Sequence, residues 1–219
     1  MSKWIKLVVA MAMVAGINLP AQTHTVFTKG DVFVATADSK VQWRLPDGTL
    51  NMVLDTGIAL TNVDVTTGMA FDACNNLYVT TFNNRSISIF DNTGALLGTF
   101  GSGFTGLPES ILFDAAGNAY VGQATSPTLQ NAPILKFGPS GVPLGGFQAA
   151  KEDRGTDWIE LAADQCTMFY TSEGKLVRRF DVCNNQQLGD FNATPLPGKA
   201  AFALRLLPGG GLLDRKSVV

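Results

Sequence analysis

"FDACNNLYV" (residues 71–79) returns further along the chain as "FDAAGNAYV" (113–121). Each copy runs from a Phe through Asp-Ala and a short polar turn to a Tyr-Val strand. "LAADQCTMFYT" (161–171) keeps the same order with one residue more in its turn, "LRLLPGGGLL" (204–213) is a partial copy, and upstream "GDVFVAT" (30–36) matches "NNLYVTT" (75–81). With Phe71, Phe113, Leu161 and Leu206 as equivalents, the steps are 42, 48 and 45 residues. A period of that length marks stacked supersecondary units rather than one irregular domain.

A second strand pair follows each copy: "SISIFDNTGALLGTF" (86–100), "ILKFGPSGVPLGGF" (134–147) and "LVRRFDVCNNQQLGDF" (176–191), with "VQWRLPDGTLNMVL" (41–54) ahead of them. Alternation is visible at Val41, Trp43 and Leu45 and at Ile87 and Ile89, while Asp-Gly, Asn-Thr-Gly and Pro-Ser-Gly supply positive-φ turn positions. Each unit therefore reads as a four-stranded antiparallel meander. Such a unit cannot bury both faces alone, and a radial stack of them is an all-β propeller with blades of about 45 residues. In this reading Phe71 ends an innermost strand, Asp72 to Asn76 form the hairpin turn and Leu77 opens the second strand. Asp72 and Asp114 are expected to accept turn N–H bonds, a structural role and not a catalytic one.

The residues resemble the NHL-repeat family of propellers: "LPESILFDAAGNAYV" (107–121) and "NNRSISIFDNTGALLGTFG" (83–101) look like the two halves of its repeat, and the match covers roughly residues 30–213. The resemblance implies a fold and leaves function open, since such propellers include scaffolds, binding modules and enzymes. It also implies a ring of six or so blades. The chain holds one partial blade, three full ones and the opening of another, so the expectation is an incomplete ring over 22–213 with a tail of unclear origin at 214–219. An incomplete ring leaves faces and strand edges unpaired.

The first residues, "MSKWIKLVVAMAMVAGINLPAQ", place Lys3 and Lys6 before an apolar run from Leu7 to Leu19 and small residues near Ala21. This is the layout of a signal peptide over 1–21, and the run is shorter than the roughly 20 residues of a spanning helix. The expected product is exported, periplasmic or extracellular, with no membrane span after cleavage. Cleavage removes two of 16 basic residues and none of 18 acidic ones, leaving a net charge of −4 and no basic cluster. Nucleic acid is thereby excluded as a partner.

Cys166 and Cys183 lie at near-equal distances from the turn at Glu173-Gly174-Lys175, so their sulfurs should be neighbours. Export favours a disulfide over two buried thiols, and the spacing is poor for zinc. Cys74 is left unpaired. The only histidine, His24, falls in the expected mature N-terminal tail, so the repeats contain no base for Ser-His-Asp or Cys-His catalysis and no His metal ligand.

Acids and amides remain. The loops entering the innermost strands, "NVDVTTGM" (62–69), "FTGLPES" (104–110), "KEDRGTDWIE" (151–160) and "TPLPGKA" (194–200), should surround the channel mouth. They offer Glu109, Asp157, Trp158, Glu160 and Lys199. Converging carboxylates there would suit Ca²⁺ or another divalent cation, and Trp158 would stack on a sugar lactone or peptide. The bland alternative for each is a solvated loop or strand packing, and "KEDRGTD" reads most simply as a solvated charged loop. The first expectation for function is a binding or scaffold module for a protein, peptide or carbohydrate-like ligand. The alternative resembles gluconolactonase-type or streptogramin-lyase-type propellers, with axial acids holding a metal that polarises a substrate carbonyl. A structural segment of a larger cell-surface protein is a third reading.

Overall fold

The second strand of each repeat is apolar on both sides of its pleat, which a sheet facing water on one side would not tolerate. In the computed structural model, which describes residues 23–58, 64–126, 132–207 and 211–216, Leu77–Thr81 and Ala119–Ala124 are buried along their whole length. Five antiparallel sheets hold these strands, and no helix occurs among the described residues. The first is β1 (Val32–Ala35), β2 (Lys40–Arg44) and β3 (Leu50–Asp55). Three four-stranded sheets follow in simple meander order: β4 (Thr66–Phe71), β5 (Leu77–Thr81), β6 (Ser86–Phe90) and β7 (Leu96–Thr99); β8 (Leu107–Phe113), β9 (Ala119–Ala124), β10 (Ile134–Phe137) and β11 (Pro143–Phe147); β12 (Ile159–Leu161), β13 (Thr167–Tyr170), β14 (Arg178–Asp181) and β15 (Gln186–Gln187). β16 (Ala201–Leu206) and β17 (Leu212–Lys216) close the series.

Strands β4, β8, β12 and β16 touch one another in succession and form the inner row, whereas β7 and β11 lie outermost and expose Leu96, Leu97 and Leu144. This is a partial β-propeller, as the period requires. The expected signal segment falls outside the described residues. β17 runs to Lys216, three residues past the point where the repeat pattern fades, because main-chain pairing with β16 continues whatever the side chains are.

Packing between sheets follows from strand alternation. Leu77 and Val79 point back and join Val41, Trp43 and Leu54 of the first sheet, while Tyr78 between them points forward to Ile111, Val121 and Phe137 of the third. One repeat later Ala119 and Val121 point back and Tyr120 forward, to Ile159, Met168 and Phe180. Phe169 then repeats Tyr120, facing Leu204.

The hairpin Asp residues do what their spacing predicts. Asp72 Oδ1 accepts from the backbone N–H of Cys74 (2.9 Å) and Asn76 (2.8 Å), and Asp114 Oδ1 accepts from Ala116 (2.9 Å) and Asn118 (2.8 Å). In the longer third turn Asp164 Oδ1 takes the N–H groups of Cys166 (2.9 Å) and Thr167 (2.8 Å). Cys166 and Cys183 form the disulfide, which ties this turn to the one after β14, and Cys74 is free and exposed. Closing a loop with a sequence separation of 17 contributes on the order of 3 kcal/mol. His24 docks on the first sheet and is no loose tail: its Nδ1 lies 2.7 Å from Asp31 Oδ1, whose other oxygen accepts from Trp43 Nε1 (2.8 Å) and Thr28 N (2.9 Å).

At Gly122 of β9 the main chains of consecutive sheets approach closely. A Cβ there would stand 2.5 and 2.7 Å from the carbonyl oxygens of Thr156 and Asp157. Backbone cannot swing aside as a side chain can, so Gly122→Ala is expected to lower stability by about 1–3 kcal/mol in urea titrations. Gly48→Ala, on a turn with open space around it, carries only the cost of its positive φ (+87°) and should lose less.

Candidate channel-mouth site

The three bonds Asp157 N to Thr171 O (3.0 Å), Thr171 N to Trp158 O (3.0 Å) and Thr156 N to Gln123 O (2.8 Å) fix the entry to β12. Two residues, Asp157 and Trp158, thus stand opposite the single Thr171, the geometry of a β-bulge. The same irregularity occurs in β8, where Glu109 is the extra residue between the pairs Pro108–Gln123 and Ser110–Gly122, and in β4 and β16 between Thr66 and Met69 and between Ala201 and Leu204. Counting back from Met69, Ile111, Ile159 and Leu204, one repeated inner-strand position is occupied by Thr67, Glu109, Asp157 and Phe202 in turn.

A side-chain latch brings two of these together. Ser110 Oγ donates to Asp157 O (2.6 Å) and accepts from Ile159 N (3.2 Å), so β8 is bolted to β12 at the residue next to Glu109. Asp157 is 1% exposed, and among the described residues neither of its carboxyl oxygens has a hydrogen-bond partner. Burial pushes its pKa up to about 10, with the charges of Glu109 and Glu173 adding to the shift and Arg154 opposing it. Burial likewise lifts Glu109 to about 7, helped by Glu173 and opposed by Arg154. Glu173, at a positive φ of 49°, is also raised by burial, and its Oε1 meets Arg154 Nη1 at 2.9 Å. At neutral pH the site therefore holds a protonated Asp157 able to donate, beside a Glu109 near its midpoint.

The 151–157 segment is solvated at Lys151, Glu152 and Asp153, as its charges suggest, and becomes buried at Gly155, Thr156 and Asp157. Glu152 accepts from the backbone N–H of Lys175 (3.2 Å) and Leu176 (3.1 Å), Asp153 N and Arg154 N both donate to Ser172 O (3.1 Å), and Arg154 Nε donates to Thr125 O (3.0 Å). The Glu152 carboxylate thereby caps the turn between β13 and β14. Asp64 does the same for the turn after β5, accepting from Asn83 N (2.7 Å) and Asn84 N (3.1 Å).

Of the five residues singled out from the sequence, Glu109 and Asp157 are brought together and three are not. Trp158 is half-buried against Phe169, Val177 and Leu204, between sheets. Glu160 is engaged by Arg205 Nη1 at 2.9 Å across β12 and β16. Lys199 is exposed on its loop. Glu173 and Arg154 are the members that sequence reading passed over; Glu173 was legible only as a turn residue. Among the described residues no group of three or more His, Cys, Asp or Glu is arranged to hold a metal ion.

No family model matches the chain, and a search of curated proteins gives no match. Among solved structures it is similar to the WD40 β-propeller domain of Doa1, with a TM-score of 0.63, 14% identity, and coverage of 86% of this chain and 58% of that one. It is also similar to a gluconolactonase from Xanthomonas campestris, with a TM-score of 0.64, 17% identity, and coverage of 82% and 63%. The chain spans about three fifths of the length of either. At such identities the likeness is one of fold, and both folds are β-propellers.

Asp157 and Glu109 hold their protons to higher pH in the fold than in the unfolded chain, where carboxyls titrate near ~4. Their contribution to stability is complete below about pH 4 and is lost as pH rises through 7 for Glu109 and towards 10 for Asp157. Urea midpoints are expected to fall between mildly acidic and alkaline pH. Asp157→Asn, which carries no charge at any pH, should flatten that fall; an unchanged slope would mean that Asp157 ionises normally in the fold.

Proposed function

We propose that this chain is an exported propeller segment of the NHL type that works as a binding module, its ligand face being the loops around the inner strands. One observation carries this reading. The framework residues repeat from blade to blade, while the position at the rim of the inner row changes from Thr67 to Glu109 to Asp157 to Phe202. A constant frame with a variable rim is what recognition requires, since the frame sets where each side chain stands and the rim sets chemistry. The partner classes that fit are a protein, a peptide or a carbohydrate-like ligand. The Cys166–Cys183 bridge supports an oxidising compartment, and no described helix is long and apolar enough to cross a membrane.

A metal-assisted lactonase is the second reading, favoured by the gluconolactonase among the similar folds and by the Glu109 and Asp157 pair. Its donor set is short. Glu160 is held by Arg205, and Asp157, whose proton burial keeps on, is a poor oxygen ligand for a cation that needs six or more.

Two measurements on the purified chain separate the readings. Titration calorimetry with Ca²⁺ and Mn²⁺ and an assay of δ-gluconolactone hydrolysis should both be silent. Metal-dependent turnover that Glu109→Gln abolishes would replace the binding module with the enzyme. Intact mass of the exported product, expected to begin at Gln22, checks the compartment.

A further inference from the structure

The hairpin between β5 and β6 is built around one buried acid. Asp64 is 0% exposed, and its carboxylate accepts from the backbone N–H groups of Val65 (2.8 Å), Asn83 (2.7 Å) and Asn84 (3.1 Å) and from Asn84 Nδ2. These bonds use its lone pairs and hold the hairpin tip in one shape. The tip ends on Arg85, which takes a positive φ of 51°. A side chain at such a position carries a conformational cost that Gly would not, and because Arg85 is exposed, burial does not offset it.

Beside this tip runs the loop from β7 to β8. Gly101 and Gly103, at φ of 68° and 79°, bend it, and Phe104 packs on the buried Phe137 with ring centroids 5.7 Å apart. Hairpin and loop border an open cavity of about 340 Å³, at the small end of ligand sites, lined by Asn84, Arg85, Phe104 and the hydroxyl-bearing Ser86, Thr99 and Ser102. Neither Glu109 nor Asp157 lines it. Arg85 differs from the other arginines whose side chains are described. Arg154, Arg178 and Arg205 meet Glu173, Asp190 and Glu160, and Arg44 donates to Gln42 and Arg179 to Gly189 O. Arg85 enters none of the ion pairs among the described residues. The loop that leads to β12 brings Arg154 to a carboxylate of the next hairpin, whereas the loop beside Arg85, FGSGFTG (100–106), contains no acid. A fixed guanidinium thus borders a cavity with hydrogen-bonding walls and no counter-charge.

We propose that this cavity binds a uronic acid residue of a saccharide. The Arg85 guanidinium pairs with the sugar carboxylate, the ring lies against Phe104, and Ser86, Thr99 and Ser102 exchange hydrogen bonds with the sugar hydroxyls. The inference rests on the reading of these loops as a ligand face and narrows the ligand to an anionic sugar. The planar guanidinium fork selects a carboxylate. Three hydroxyl-bearing residues and one aromatic ring then select a sugar over an acidic peptide side chain, since they match a ring edged with hydroxyls and faced with C–H groups.

The test is titration calorimetry of the purified chain with trigalacturonic acid. Expected is saturable binding that weakens as NaCl is raised, because the ion pair stands in solvent. The fully methyl-esterified trisaccharide, maltotriose and a triglutamate peptide should each bind at least about tenfold more weakly. Arg85→Gly removes the guanidinium and relieves the positive φ, so the urea midpoint should hold or rise while trigalacturonic acid binds at least about tenfold more weakly. Arg85→Lys, which keeps the charge without the fork, should fall between the two. The proposal is overturned if trigalacturonic acid does not bind saturably, if the ester or the peptide binds as well as it does, or if Arg85→Gly binds it unchanged. In that last case the saccharide sits elsewhere and the binding-module reading stands; metal-dependent lactone turnover would overturn that reading whatever this cavity binds.

Discussion

Everything in this fold rests on a strand that is buried on both faces. A sheet with one apolar face can sit on a core and turn its other face to water, but β5 and β9 have no such side. Leu77 and Val79 reach back to Trp43 while Tyr78 reaches forward to Phe137, so each sheet completes its predecessor and needs its successor. Removal of apolar area from water is thus shared between neighbours, and no sheet is stable by itself. The Asp-capped turns and the close approach at Gly122 follow from that demand, because blades that must interlock have to turn at the same radius.

The polar site is a by-product of the same interlock. Ser110 spends its hydroxyl on the main chain of the next inner strand, and that bond sets Glu109 and Asp157 side by side where little water reaches. Two acids in such a place cannot both ionise cheaply, which keeps the Asp157 proton on to high pH. Arg154 relieves part of the strain but is shared with Glu173 and held by Thr125.

The first sheet shows the cost of interrupting the pattern. Val32 and Val34 have the residue types of a buried second strand and the exposure of a surface one. Leu77 and Val79 pack back on the sheet before theirs, and no sheet precedes the first among the described residues, so the contrast shows what a neighbouring sheet contributes. Arg44 and Gln42, hydrogen-bonded to each other (3.0 and 2.7 Å), stand on this face where Phe90 and Ser88 stand in the second sheet. Their polarity makes part of that face tolerant of water.

The amino-acid order alone determined the meander, its period, the Asp turns and the Cys166–Cys183 pairing. All of these are local: they depend on the spacing of apolar residues along a strand and on residues equidistant from one turn. Only the tertiary structure decided which polar residues meet. Glu160 lies three residues from Asp157 yet belongs to Arg205, whereas Glu109 is 48 residues away and shares its environment. Lys151, Glu152 and Asp153 are exposed, as their charges suggest, but nothing in the sequence shows that the Ser172–Leu176 turn lies within reach of Glu152. Contacts between sheets arise from a rotation about a common axis, and no spacing along the chain encodes which side chains that rotation brings face to face.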